Sequence, residues 1–124
     1  MLSWIFGKTT KNVLHASTPT MNAGYLELER ARVRWFLSID EKNLPKEAKE
    51  KGLRTYRSIT CDGEEIEFSG GFTDLHTTSY QNILEGNGFG LDDAMSSIQT
   101  VYEIRNATPA GKVGEYHPFL NNVL

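Results

Sequence analysis

Between Gly24 and Asp40 the chain reads GYLELERARVRWFLSID, and the alternation in that stretch restricts the fold more than any other feature. Apolar and polar residues alternate through Tyr25, Leu26, Glu27, Leu28 and Glu29, and Val33, Trp35, Leu37 and Ile39 resume the pattern after Arg30-Ala31-Arg32. Successive side chains of a strand point to opposite faces, so a period of two predicts two half-buried antiparallel strands, apolar on one face and charged on the other. Such a platform must be covered, and function must come from what it meets.

With 124 residues, 39% of them hydrophobic, the chain suits one domain with its own core. The formal charge of −3 excludes the basic field of a nucleic-acid binder, since Arg30, Arg32 and Arg34 are matched by Glu27 and Glu29. Cys61 is the only cysteine, so no disulfide framework or cysteine metal cluster can form, and a reducing cytoplasm is expected. The apolar opening MLSWIFG has neither a basic start nor the length of a signal or membrane segment, so no membrane association is expected.

Along the chain, residues 1–6 read as the last turns of a helix closed by Gly7, held by packing of Leu2, Trp4, Ile5 and Phe6. Lys11 to Thr18 reads as a first strand ending before Pro19, and the Gly24–Asp40 hairpin follows. Glu41 to Gly52, with Pro45 near its start, predicts a short exposed helix. Arg54 to Phe68 predicts a hairpin turning at Asp62-Gly63, a pair suited to a type I′ turn. After the break at Gly70-Gly71, the spacing becomes helical, with Leu75, His76, Tyr80, Ile83 and Leu84 on one face and Thr73 as the expected N-cap. A second helix follows the loop Asn87 to Gly90, with Leu91, Ala94, Met95, Ile98, Val101 and Tyr102 in a stripe running to about Asn106. The tail ATPAGKVGEYHPFLNNVL is rich in turn formers and reads as an extended arm or partly disordered.

The common dinucleotide, phosphate, zinc and nucleophile signatures do not occur in the sequence. Gly86, Gly88 and Gly90 lie between two predicted helices with no strand before them, so they read as a helix end and a loop. Cys61 has no evident activating neighbour, and His15, His76 and His117 show no ligand spacing, so no metal site is expected. His76 has two readings, a buried imidazole bonded within the core or, with Thr73 and Asp74 at a helix start, a contact for an anionic or hydroxyl-rich ligand. Arg30, Arg32, Arg34, Arg54 and Arg57 can line one sheet face for phosphates or carboxylates, or that face is simply solvated or laced with Glu27, Glu29, Glu65 and Glu67 across strands. Trp35 and Tyr56 then serve as core or interface aromatics.

The run GYLELERARVRWFLSID, then LP, RTYRSITCDGEEIEF, FTDLHTTSY, GFGLDDAMSSIQTVYEIRNATP and YHPF, resembles the C-terminal half of sugar-nucleotide dehydrogenases in the glucose–fructose oxidoreductase/inositol dehydrogenase (Gfo/Idh/MocA) family. The branch it resembles is that of the UDP-N-acetyl-2-amino-2-deoxyglucuronate 3-dehydrogenases of lipopolysaccharide and O-antigen synthesis.

The resemblance implies a two-domain enzyme with an N-terminal Rossmann domain for NAD. It also implies an α+β C-terminal domain, a mostly antiparallel open sheet with two C-terminal helices packed on it, that shapes the UDP-sugar site and builds dimers or tetramers. In this chain that domain is expected over residues 1–108, with 109–124 as an extended tail. The family's catalytic residues are a lysine in a Glu-Lys-Pro motif and a histidine near the domain junction, and neither motif occurs here. Residues 1–7 resemble the segment just downstream of that histidine, and His15, in a later strand, is no substitute for it. The chain alone is therefore expected to bind no NAD and to lack dehydrogenase activity, with Thr73 and His76 as candidate substrate contacts. Its origin is either a domain cut from a longer enzyme or a separately encoded fragment. The alternative is a free-standing, non-catalytic binding or scaffold module derived from the same domain.

Overall fold

The computed structural model describes residues 1–70 and 73–124. It divides into two compact units, one formed by Met1–Asp40 with Gly90–Leu124 and the other by Glu41–Phe89. Both are mixed α+β, and every strand ladder among the described residues is antiparallel.

In the first unit, β1 (Thr9–Ser17), β2 (Met21–Leu28) and β3 (Ala31–Ser38) form a sheet in the order β1-β2-β3. The β2–β3 pairing sets Leu26 opposite Val33 and Gly24 opposite Trp35 on one face, and Glu27 opposite Arg32 and Tyr25 opposite Arg34 on the other. The expected alternation therefore carries through the turn in phase, because only Glu29 and Arg30 separate the strands. Gly24 is required by this packing, since a Cβ there would lie 2.6 Å from Cζ2 of Trp35 and 2.5 Å from the Val13 carbonyl oxygen. Its missing side chain lets the indole lie against β2.

The apolar face meets α4 (Leu91–Asn106). The Thr9 and Thr100 hydroxyls are hydrogen-bonded at 2.8 Å, and Asn12 Nδ2 donates to the Thr100 carbonyl at 3.4 Å. Asp92 and Asp93 occupy the positive first turn of α4, and the Gly90 N–H donates to Asp93 Oδ2 at 2.8 Å. The short α1 (Leu2–Phe6) is closed by Gly7 at φ 87°, and the Ser97 hydroxyl donates to Ser3 Oγ at 3.3 Å, joining α4 to α1.

The opposite face is crossed by the C-terminal segment. This segment starts as the expected arm, with the Ala110 and Gly111 N–H groups donating to the Leu14 and His15 carbonyls at 2.8 and 3.1 Å. It then departs from expectation by turning inward and ending in α5 (Leu120–Val123), where Leu120 is completely buried. Leu120 shares a core cluster with Ala16, Met21 and Ala23, and Phe36, Tyr116 and Val123 pack against it. Turn-forming residues hid this role, because three apolar residues, Tyr116, Leu120 and Val123, spread over a loop and one helical turn show no period.

In the second unit, Pro45 precedes α2 (Lys46–Glu50), and β4 (Ser58–Cys61) pairs with β5 (Glu64–Glu67). Asp62 and Gly63 take φ values of 49° and 88°, the two positive angles of a type I′ turn, as expected. α3 (Leu75–Leu84) follows, and its apolar residues Leu75, Tyr80, Ile83 and Leu84 are exposed. The glycine break expected at residues 70 and 71 lies in part outside the described residues.

Candidate functional site

Thr73 and His76 lie at the same end of α3. Thr73 is not the N-cap: that position is held by Asp74, at φ 57° and without a side-chain capping bond, so the helix begins one residue later than expected. Asp74 tolerates the left-handed conformation better than a β-branched threonine does, which explains the shift. Both candidates are exposed, so His76 is not a core imidazole in this structure. The end of α3 thus presents a hydroxyl and an imidazole to solvent beside a helix start, a donor set suited to a polar or anionic group.

The five arginines are not assembled within one unit, since Arg30, Arg32 and Arg34 belong to the first and Arg54 and Arg57 to the second. Arg30 donates to the Ile5 carbonyl, Arg32 faces Glu27 across the ladder, and Arg34 pairs with Glu115 at 3.9 Å. Of these three, Arg32 stands opposite one of the expected glutamates, while Arg30 and Arg34 take other partners. The charged face also carries a polar cluster that sequence reading missed. The buried Tyr25 hydroxyl donates to Glu27 Oε1 at 3.0 Å, and Lys11 Nζ approaches the same oxygen at 3.5 Å while lying 5.8 Å from the Tyr25 ring centre. Burial, then the bond to Glu27, pushes the Tyr25 hydroxyl above its ordinary value, and that bond holds the Glu27 carboxyl below its own. Only the register brings Lys11 to Glu27, which is why spacing along the chain gave no sign of it.

In the second unit, Tyr56 donates to Glu65 Oε1 at 2.6 Å, raising the tyrosine and lowering the carboxylate in the same manner. Cys61 is exposed near the hairpin turn.

The first unit also carries an open groove of about 520 Å³ between the start of β1 and α4, where Lys8 faces a lining that includes Asp92, Gln99, Thr100 and Glu103. Opposite charges and hydroxyl and amide groups make it polar, with Met95 as its apolar element. Among the described residues no His, Cys, Asp and Glu group is placed to hold a metal ion. A dinucleotide cradle needs a glycine turn between a parallel strand and a helix, whereas Gly86, Gly88 and Gly90 connect α3 to α4 and the ladders are antiparallel. The described residues therefore form no Rossmann-type cradle for NAD. No helix among them is long and apolar enough to cross a membrane.

No family model matches the chain. Among solved structures, the chain is similar to the WlbA (WbpB) dehydrogenase from Thermus thermophilus in complex with NAD and alpha-ketoglutarate. That match has 54% identity and a TM-score of 0.89, covering 95% of this chain and 38% of that one. The WlbA (WbpB) dehydrogenase from Thermus thermophilus in complex with NAD and UDP-GlcNAcA matches at 51% identity and a TM-score of 0.89, again covering 95% of this chain and 38% of that one. The chain thus spans well under half the length of the enzymes it matches, and its α+β architecture corresponds to their C-terminal part. With half or more of its residues identical over nearly its whole length, the chain belongs to the Gfo/Idh/MocA family as a C-terminal domain of the WlbA/WbpB dehydrogenase type.

Proposed function

We propose that this chain is the substrate-binding and oligomerisation part of an NAD-dependent dehydrogenase acting on a UDP-N-acetylhexosaminuronate in bacterial O-antigen synthesis in the cytoplasm. Residues 1–108 form the domain and 109–124 its C-terminal extension. NAD and the catalytic lysine and histidine are supplied from an N-terminal Rossmann domain, and the chain alone has no turnover. The observation that carries this reading is the match of 95% of the chain to 38% of a dehydrogenase crystallised with NAD and UDP-GlcNAcA. Exposed apolar side chains support the association part, since Leu37 and Ile39 at the sheet and Met95, Ile98 and Val101 on α4 remain uncovered.

The test is to assay NADH formation from UDP-GlcNAcA with the chain alone and with the chain co-expressed with a Rossmann half. Turnover is expected only from the pair, and tight NAD binding to the chain alone in calorimetry would overturn the division of labour. In the paired enzyme His76→Ala is expected to raise KM for the UDP-sugar, whereas unchanged KM and turnover would remove His76 from the site. Sedimentation of the chain at high concentration is expected to show dimers or tetramers, and a monomer would remove self-association.

A further inference from the structure

The C-terminal segment straps the charged face of the sheet from one edge to the other. Ala110 and Gly111 bond to β1, Glu115 reaches Arg34 on β3, and Phe119 packs edge-on against Phe36 of β3 at 4.8 Å between ring centres. Two histidines sit in this crossing, one on each side of the contact, and the Nδ1 of each is placed as only the neutral ring satisfies.

His15 comes from the sheet. A bulge between Leu14 and Ala16 makes three consecutive residues buried, and His15 is only 3% exposed. Its ring hydrogen-bonds the Val113 backbone of the strap, a contact that favours the charged ring but is outweighed by burial, and it stands edge-on to Tyr116 at 6.3 Å. Its Nδ1 is buried with no hydrogen-bond partner among the described residues. A neutral imidazole can leave that nitrogen as a bare acceptor at modest cost, but protonation would place an unpaired charged N–H in the same apolar surroundings.

His117 comes from the strap. Its Nδ1 accepts the Phe119 N–H at 3.2 Å, at the entry to α5, while its ring lies 5.8 Å from Phe36. Protonating that nitrogen turns the acceptor into a donor facing a donor, so the bond is lost. The ionisable groups on the surrounding elements are Lys11 on β1, Tyr25 and Glu27 on β2, Arg32 and Arg34 on β3, and Lys112, Glu115 and Tyr116 on the strap. Of these, Arg34 acts on His117 in the direction that disfavours a second positive charge.

We propose that the strap over residues 110–124 is an acid-releasable clasp, in which protonation of His15 and His117 detaches it from the sheet and uncovers Ala16, Met21, Ala23 and Phe36. Burial is the main cause holding both imidazoles below the ordinary histidine value of 6.5. A group whose value is depressed in the docked state binds more protons when released. The clasp is therefore fully closed above that ordinary value and weakens as the pH falls through and below it. A strap detached in acid would expose a contiguous apolar surface, coupling proton concentration to whatever that face binds.

Hydrogen exchange on the whole chain, corrected for intrinsic rates, tests this between about pH 7.5 and about pH 5. Protection at Gly111, Leu120 and Leu124 is expected to be lost at the acid end while β2 and β3 keep theirs. The double variant His15→Gln with His117→Asn is expected to keep strap protection throughout, and Glu115→Gln to leave the wild-type pH response unchanged. Retained wild-type protection at the acid end would overturn the proposal, as would a double variant that folds and still releases. Should that variant not fold, the histidine ring-proton titrations of the wild type decide. Both must titrate below 6.5 and together with release, and titration without release overturns the clasp.

Discussion

The two units contain similar kinds of elements and differ in what those elements bury. In the first unit, three strands, α4 and the strap enclose Leu14, Ala16, Met21, Ala23, Leu26, Leu28 and Leu120, whereas among the described residues of the second Ala48 is the buried apolar one. α3 and α4 show the same contrast at close range. Both carry apolar stripes and both leave apolar residues exposed, but α4 is tied to β1 through Thr100, which bonds to Thr9 and Asn12. The difference teaches that a helical period fixes which face is apolar, while polar anchors and neighbouring elements decide whether that face is covered. Amide protection should follow the same division, deep in β2 and shallow in α3.

The strongest way to break the comparison is at the strap. Leu120→Ala removes a completely buried side chain from the first unit's core and is expected to cost about 3 kcal/mol. Urea unfolding followed by tryptophan fluorescence reads this directly, since Trp4 and Trp35 both lie in that unit. A loss below about 0.5 kcal/mol, as at a surface site, would mean that α5 is not part of the core.

A smaller effect is expected inside the sheet. Gly24→Ala drives a methyl group into the Trp35 indole and the Val13 carbonyl, which should cost about 2 kcal/mol. The mechanism can be separated from loss of backbone freedom by combining it with Trp35→Leu. Relief of the ring clash predicts that the double variant loses less than the sum of the two single changes.

Much of this sheet was legible, and the reason is local. The alternation from Tyr25 to Ile39 survives a two-residue turn in phase, so the expected faces match the observed register. Asp62-Gly63 was legible because the turn chemistry is contained in two residues, and α4 because its stripe and acidic start agree. The strap was not legible, because its core residues reach the sheet through turns whose geometry no period records. Tyr25, Glu27 and Lys11 were missed for a related reason, since register and not spacing joins them. His76 lies on the expected apolar face of a real helix, yet it is exposed there, so the inference from face to burial failed.

The hairpin of the second unit offers a sharper test at lower cost. Gly63 holds φ 88°, where an alanine is strained, and open space around its Cβ position excludes a clash. Gly63→Ala is therefore expected to weaken the β4–β5 hairpin by about 1 kcal/mol through backbone conformation alone. Faster exchange across Ser58–Glu67 with unchanged protection at Leu120 is the expected result. Equal loss at both places would show that the two units unfold as one.

The smallest expected effect separates the units most cleanly. Ile83 is 57% exposed on α3, so truncation to alanine removes little buried surface, and alanine is the better helix former. The two contributions oppose each other, and Ile83→Ala in this chain should change stability by less than about 0.5 kcal/mol. Circular dichroism and exchange within Leu75–Leu84 can detect either sign. A loss of about 2 kcal/mol or more would require a packed α3 and would erase the contrast with Leu120. If Ile83→Ala leaves the isolated chain intact but weakens co-purification with the Rossmann half, its apolar face is covered by assembly, and the weakly buried unit gains its stability there.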